Sequence, residues 1–444
     1  MRLSPTLLLA AALLGGACAA RTPGVPGRTA DEIRGRTGQT VRPPENKVDQ
    51  QLPPDVSLDD GVSEEEAVAA ALWGNAQLSA DLSALGLARA NLLEAGLLRN
   101  PSFQALFPVG VKPFELAVTW PLEAIFQRTR RVEAASREWE QIAEGLVQNG
   151  LNVARDARLA HSALLRAEQR ARLSDDASKL ADEIVHLTAA RLRAGDVSEV
   201  DLRLAEAAAG SARETAVRAA HEVVLARERM RFQMGLPAAA AQEMRASASP
   251  AYPEALPPLD ELREAAWSCR PDLRAQEIGV AAAAARARWQ RSRWLVLSAV
   301  LSSKEVGTSG IRTGPGVSAD IPVTASSHAT TARADAEVEQ ASRLYIALRQ
   351  KVDLEVSEAY ERMLLAIELR AAVAGSVVPM FERAAAGARQ AYESGDVSYL
   401  FFVEAQRQLL EARLRLADAE AAVRGAAAEL DRSVGTRVDR LRRE

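Results

Sequence analysis

Proline is absent between Pro121 and Pro237, and after Pro322 only Pro379 interrupts the chain. Inside a helix a proline removes a hydrogen bond and clashes with the carbonyl four residues back, so these two stretches permit very long helices. Their filling agrees. The run "LNVARDARLAHSALLRAEQRARLSDDASKLADEIVHL" (151–187) places apolar or alanine positions every three or four residues, with charges between them. Aromatic residues are only 4% of the chain, the composition of helices packed through small side chains rather than of a thick aromatic core. The 55 basic and 59 acidic residues are interspersed to a net charge of −4, and no block of one sign argues for nucleic acid.

The landmarks recur. Gly195-Asp196-Val197-Ser198 returns as Gly395-Asp396-Val397-Ser398. Pro121 stands before the first glycine at the spacing, to within one position, at which Pro322 stands before the second. Met234-Gly235 and Val434-Gly435 follow the two glycines at identical spacing, and "EEEAVAAALWGNAQL" (64–78) is echoed by "LDELREAAWSCRPDL" (259–273). Matched breaks at matched spacing are not what generic alanine-rich helices produce. The chain is one unit written twice, as repeat 1 over 59–247 and repeat 2 over 255–444. Each unit predicts a helix, a short non-helical part and a helical hairpin, over 121–235 and 324–435. Glycine at the hairpin turn tolerates the left-handed conformation that ends a helix. Asp196 and Ser198 supply acceptors that start the returning one.

The non-helical parts read as β-hairpins. Phe103, Ala105, Phe107 and Val109 alternate with Gln104, Leu106 and Pro108, and Phe114, Leu116, Val118 and Trp120 alternate with Glu115, Ala117 and Thr119. This predicts a hairpin over about 103–120 with one apolar face. Repeat 2 predicts its counterpart over about 294–323, from "WLVLSAVLSS" (294–303), a glycine-rich loop and "GVSADIPV" (316–323). Four strands cannot close a barrel of useful width in one chain, but several copies can pool them. An apolar exterior with Trp or Phe near strand ends suits a membrane. The strands are short beside the ~9–11 residues a tilted span requires.

The amino terminus, "MRLSPTLLLAAALLGGAC", has a basic Arg2, an apolar run and small residues before Cys18. It reads as a secretory signal over 1–17, too short for a spanning helix. Gly15-Gly16-Ala17-Cys18 resembles a bacterial lipobox with its leucine displaced to Leu14, which makes Cys18 the expected acylated residue. The only other cysteine is Cys269, so no disulfide framework competes for it. Ala19 is not the aspartate of an inner-membrane retention signal. Residues 18–58, rich in Pro, Gly, Arg and Thr, predict an extended lipid-anchored tether.

Taken in this order, the doubled unit, "ALWGNAQL" and its echo, the junctions Trp120-Pro121-Leu122 and Ile321-Pro322-Val323, both Gly-x-x-Ser turns and the closing Met234-Gly235 and Val434-Gly435 resemble the TolC-type outer-membrane efflux proteins (the outer membrane factor family), in their lipoprotein branch. The resemblance covers nearly everything after residue 58. It implies a mainly α fold with a small β part, assembled as a homotrimer in which a shared twelve-stranded barrel in outer-membrane lipid continues into a helical tunnel across the periplasm. It also implies a passive exit duct for tripartite efflux or type I secretion. A periplasmic adaptor would open its tip and link it to an inner-membrane pump of the RND or ABC type.

By the same resemblance, Gly195, Val197, Ser198, Gly395, Val397 and Ser398 are candidate adaptor-docking residues. Tyr392 and Asp201 fall at positions where the family links neighbouring helices to hold the tip closed. The arginine sometimes found two residues after the second glycine is here Val397. Two ring positions at the constriction are occupied by Phe401 and Glu404, and a three-fold ring of Glu404 would attract cations. The stretch "GTSGIRTGPG" (307–316) is expected to be an extracellular loop, since it lacks the Lys-Ser/Thr ending of a phosphate loop.

The residues point to no catalytic constellation, cofactor or metal. His161, His186, His221 and His328 are scattered without ligand spacing, "HEVVL" at 221 lacks the second histidine of a zinc protease, and Cys269 is alone beside Trp267. The expectation is no enzyme. The rival from another class is a helical scaffold lipoprotein that conducts nothing.

Overall fold

The computed structural model describes residues 25–41, 52–54, 56–58, 60–109, 113–241, 244–247, 256–292, 296–306, 310–320 and 326–441. The signal, Cys18 and the Ile321-Pro322-Val323 junction lie outside them. In chain order the main elements are α1 (Val25–Thr37), α2 (Glu64–Gly74), α3 (Ala76–Gly96), β1 (Ser102–Leu106), β2 (Glu115–Pro121), α4 (Glu123–Ala194) and α5 (Glu199–Met234). Repeat 2 follows with α6 (Leu259–Cys269), α7 (Pro271–Arg291), β3 (Val296–Glu305), β4 (Ile311–Asp320), α8 (Ser326–Ala372), α9 (Val378–Glu393) and α10 (Tyr399–Val434). Helix α4 runs 72 residues without a break, an advance of ~110 Å at ~1.5 Å per residue.

Pro379 is absorbed rather than allowed to end its helix. The residues before α9, Val373–Val377, form a π-helical turn in which the Val378 N–H donates to the Val373 carbonyl, one residue further back than in an α-helix. Widening the turn just ahead of the ring relieves the clash a proline imposes on the preceding turn.

The chain divides into two compact units. One, Met1–Arg28, Leu82–Gly145 and Asp272–Leu348, holds the sheet; the other, Thr29–Asp81, Leu146–Pro271 and Arg349–Glu444, holds both hairpin turns. The sheet is a four-stranded antiparallel meander in the order β1-β2-β3-β4. Its register puts Phe103 opposite Val118, Val118 opposite Leu301 and Leu301 opposite Pro315, with Trp120 opposite Ala299 and Ala299 opposite Val317. Because side chains alternate along a strand, all of these share one face. Gln104, Glu115, Thr119, Ser302, Lys304 and Arg312 share the other, where Lys304 and Glu115 pair at 2.6 Å. β3 and β4, with 10 residues each, reach the ~9–11 of a tilted membrane strand, whereas β1 and β2 are shorter.

Three expectations need correction. The first strand ends at Leu106, leaving Phe107 and Val109 beyond it, although Phe107 still packs on Phe114 at 6.1 Å. Residues 311–316, expected as loop, are the first half of β4. Gly314 and Pro315 are tolerated there because β4 is an edge strand, whose outward N–H has no partner to lose. The tether is not extended throughout: 25–37 is helical. On α1, Ile33 is fully buried against Gly150, and Arg36 donates to the Gly435 carbonyl at 3.0 Å and to that of Cys269.

The repeats meet the hairpin ends through matching sockets. Helix α2 breaks from α3 at Asn75 (φ −63°, ψ 118°), and α6 breaks from α7 at Arg270 (φ −69°, ψ 121°). The Asn75 amide donates to the Gln233 carbonyl at 3.2 Å, and in the second repeat the Arg270 guanidinium donates to the equivalent carbonyl, that of Ser433, at 3.2 Å. Gly235 and Gly435 cap α5 and α10 in the left-handed region, φ 68° and 85°. A Cβ at 235 would lie 1.8 Å from the Gly74 carbonyl oxygen, and one at 435 would lie 3.0 Å from the Arg270 Cα.

The second socket carries more charge. Arg270 is buried and pairs with Glu355 at 2.6 Å, and Glu355 also pairs with Arg432 at 2.9 Å. Burial works against this carboxylate, yet Arg270, Arg432 and Lys351 together hold it below the usual range.

Candidate channel mouth at the two hairpin turns

Each turn is built by the same backbone device. At the first, Gly195 takes φ 84°, its N–H donates to the Leu192 carbonyl at 3.0 Å, and the Asp196 N–H reaches back to Arg191 at 3.0 Å. At the second, Gly395 takes φ 85°, with the equivalent bonds to Tyr392 at 3.2 Å and Ala391 at 2.8 Å. Only glycine adopts this conformation without strain, and the paired bonds close a Schellman-type end. Ser198 and Ser398 then cap the returning helices from extended backbone. Gly195, Ser198, Gly395 and Ser398 are exposed, and Val197 and Val397 are half-buried.

Side chains divide the two turns. In the first, Asp201 completes a reciprocal cap: its carboxylate accepts from the Ser198 N–H at 2.9 Å and hydroxyl at 2.7 Å, while the Asp201 N–H donates to the Ser198 hydroxyl. These bonds, the hydroxyl's first, hold the Asp201 carboxyl below its usual range. The corresponding position of the second repeat is Phe401, which has no acid to return and stands exposed. There only the weaker bond from the Phe401 N–H to the Ser398 hydroxyl, 3.4 Å, remains.

What the second turn has instead is an aromatic cluster. Tyr392 is buried, stacks on Phe402 at 5.1 Å with planes 3° apart, and meets Tyr399 edge-on at 6.1 Å. Ile184 of α4 and Ala205 of α5 pack into the same cluster, so it joins both hairpins. The Arg191 guanidinium lies 4.3 Å above the Tyr392 ring and donates to the Tyr392 carbonyl at 3.3 Å. Burial, and after it the neighbouring Tyr392, pushes the Tyr399 phenol up to about 12. The Tyr392 hydroxyl is buried with no hydrogen-bond partner among the described residues.

Tyr392 and Asp201, expected to form links, are thus not brought together here. Asp201 serves its own helix end and Tyr392 packs through its ring. Glu404 is half-buried and tied to its own helix, to Arg407 at 2.7 Å and Gln408 at 2.8 Å. The hydrogen bond from Arg407, then that from Gln408, lowers its carboxyl to about 2, so it is charged at any physiological pH. Sequence reasoning missed Arg191, Tyr399 and Phe402. Their signal was available: Arg191 stands one helical turn before the first glycine, and Tyr392, Tyr399 and Phe402 recur at helix-compatible spacing around the second.

Among the described residues no group of three or more His, Cys, Asp or Glu is placed to hold a metal ion. His161 is fully buried with Nε2 2.9 Å from the Val62 carbonyl, and burial lowers its pKa.

The family model described as outer membrane efflux protein matches residues 262–436, which covers α6 through α10. Over that stretch the chain is similar to the outer membrane efflux proteins. It is 22% identical over 387 residues to the cobalt-zinc-cadmium resistance protein CzcC of Cupriavidus metallidurans, across 84% of this chain and 89% of that one. Two solved structures share the fold. A membrane protein from Pseudomonas aeruginosa superposes with TM-score 0.73 at 19% identity, covering 87% of this chain and 98% of that one. The outer membrane protein VceC of Vibrio cholerae gives 0.71 at 15%, over 84% and 96%. Both folds are mostly helical with a small sheet, as is this chain.

Proposed function

We propose that this efflux-type protein is a passive outer-membrane exit duct that works as a homotrimer. The observation that carries the reading is the sheet: four strands, one apolar face, and outer edges of β1 and β4 that meet no further strand among the described residues. Open edges invite pairing with another chain. Three copies joined β1 to β4 make twelve strands, with Phe103, Trp120, Leu301 and Val317 toward lipid and Gln104, Lys304 and Arg312 toward the lumen.

The helices support the same assembly. Leu354, Leu365, Leu369 and Met380 on α8 and α9 are exposed, and each follows the last by a near-whole number of helical turns. The helix His328–Glu393 that carries them is long and apolar enough, by length and composition, to cross a membrane. We read this stripe as a seam against a neighbouring protomer.

Acylation of Cys18 would anchor the chain in the outer membrane. The turns around Gly195, Val197, Ser198, Gly395, Val397 and Ser398 would receive a periplasmic adaptor, and the adaptor would connect an RND or ABC pump that supplies energy. Tyr392 with Arg191 would resist opening, and Asp201, Phe401 and Glu404 would shape the mouth. The likeness to CzcC makes cobalt, zinc and cadmium ions the first cargo to assay.

Planar-bilayer recording of the purified protein tests the duct directly. Discrete conductance steps are expected, together with inter-chain disulfides between Gln104→Cys and cysteines scanned along 312–318. A non-conducting scaffold gives neither.

A further inference from the structure

We propose that a cavity between α4, α5 and α10 is a binding site for a lipophilic organic cation. It lies in the same compact unit as the turns and measures about 380 Å³. Its walls are mostly apolar, with Leu180 and Ile184 from α4, Leu410 from α10 and Ala208 and Ala212 from α5, interrupted by Ser174, Ser211, Thr215 and Gln406. Ala177, Ala208 and Ala212 are too short to fill the space their helices leave. The volume falls in the ~300–1,000 Å³ range of small-molecule sites, whose walls are mostly apolar with a few polar groups for orientation.

Charge at the mouth selects the class. Arg407 is held by Glu404 and Glu411, and Arg413 by Glu382 at 3.0 Å. Asp176, which also lines the cavity, forms no ion pair among the described residues, and the neighbouring Lys179 is engaged by Asp175 at 2.7 Å. Asp176 shares the field of Lys179 with Asp175. Around the cavity the carboxylates of Asp175, Asp176, Glu382, Glu404 and Glu411 thus outnumber Lys179, Arg407 and Arg413, which favours a cation whose apolar body fills the pocket and whose charge stays at the rim. Ile184 belongs both to this cavity and to the aromatic cluster at the turns. An occupant therefore sits between the first hairpin and α10, directly behind Tyr392 and Phe402. The site does not depend on the duct reading, since it lies within one chain.

Equilibrium dialysis of the full-length detergent-purified protein against tetraphenylphosphonium and its anionic isostere tetraphenylborate, with empty micelles subtracted, tests the site. The expected result is one saturable tetraphenylphosphonium per chain, with tetraphenylborate bound more weakly. Ala212→Phe should abolish the saturable component, and Asp176→Asn should weaken it about three-fold, as one solvent-exposed charge allows. Equal binding of the two ions, or undiminished binding to Ala212→Phe, overturns the proposal. If that variant does not assemble, Asp176→Asn decides alone, because the residue is exposed and an unchanged affinity refutes the charge argument.

Discussion

The four left-handed glycines at the hairpin ends permit a graded test of the two-socket architecture. Gly195, Gly235, Gly395 and Gly435 share nearly one backbone conformation, with φ between 68° and 85°, but differ in what an added methyl would meet. At Gly195 and Gly395 it meets nothing within 4 Å; at Gly435 the Arg270 backbone stands at 3.0 Å; at Gly235 the Gly74 carbonyl oxygen stands at 1.8 Å. Left-handed backbone costs a non-glycine residue ~1–2 kcal/mol, and a stiffer unfolded chain returns ~0.4–1 kcal/mol. Alanine at either turn should therefore cost only about 0.5–1 kcal/mol. Overpacking adds ~1–3 kcal/mol, and at Gly235 the obstacle is a backbone carbonyl that no rotamer change can move. The expected order of destabilisation is Gly235→Ala, then Gly435→Ala, then the two turn variants together. Thermal unfolding followed by far-UV circular dichroism, all variants at one scan rate, reads that order. If Gly195→Ala melts as early as Gly235→Ala, the sockets are not close-packed and the repeat argument fails with them.

Further outcomes concern the turns and the core. Tyr392→Phe removes a buried, unpartnered hydroxyl and should leave the turns as protected from hydrogen exchange as before, or more so. Tyr392→Ala should cost ~3–5 kcal/mol of local stability, as loss of a buried aromatic does. Increased exchange in the Phe variant would show that the hydroxyl, not the ring, holds the hairpins. His161 is kept neutral by burial, so its folded pKa lies below the unfolded value near 6.5 and the unfolded chain takes up the proton first. Stability should therefore fall as pH drops from about 6.5, and His161→Gln should flatten that limb of a melting-temperature profile. Asp201 has the depressed carboxylate pattern, present above its unfolded value and lost as pH falls through the folded one. Asp201→Asn should thus mimic acid by loosening α5 at its start, read as faster exchange at 199–203. In bilayers, Glu404→Gln should reduce cation preference in reversal-potential measurements, because Glu404, with a pKa of about 2, is fully charged at neutral pH.

How much of this was visible in the sequence depends on the range of the interaction. Local rules sufficed for the long helices and the turns, because missing prolines and paired glycines act within one or two turns of chain. Strand existence was legible from alternation, but not its limits. Pro315 and Gly314 look like a loop until it is known that β4 is an edge, and edge status is a property of the whole sheet. Residues 25–37 misled for a related reason. Three arginines, two glycines and a proline hide an apolar anchor as small as Ile33, whose partner Gly150 lies far along the chain on α4. At the turns, a residue's position in the chain could not show its surroundings within the folded chain: a reciprocal cap for Asp201 and a cross-hairpin cluster with Arg191 for Tyr392.

Duplication explains why the two turns are alike, and their differences suggest what each repeat has been free to become. The backbone solution is kept in both copies because glycine, a Schellman end and a capping serine are the simplest way to reverse a helix. Beyond it, position 201 bears the acid that locks the start of α5, whereas position 401 bears an exposed phenylalanine and leaves α10 with a single weak cap bond. The second hairpin is then held by Tyr392, Tyr399 and Phe402 against α4, and its outgoing helix already carries a π turn at Val373–Val377. A helix start that lacks its own lock and depends on contacts with a neighbour is one whose position those contacts can set. If one hairpin moves when the mouth opens, it should be the second. Spin labels at Ser394 and Glu199 should then show the larger displacement at Ser394, and equal movement at both sites would refute this asymmetry.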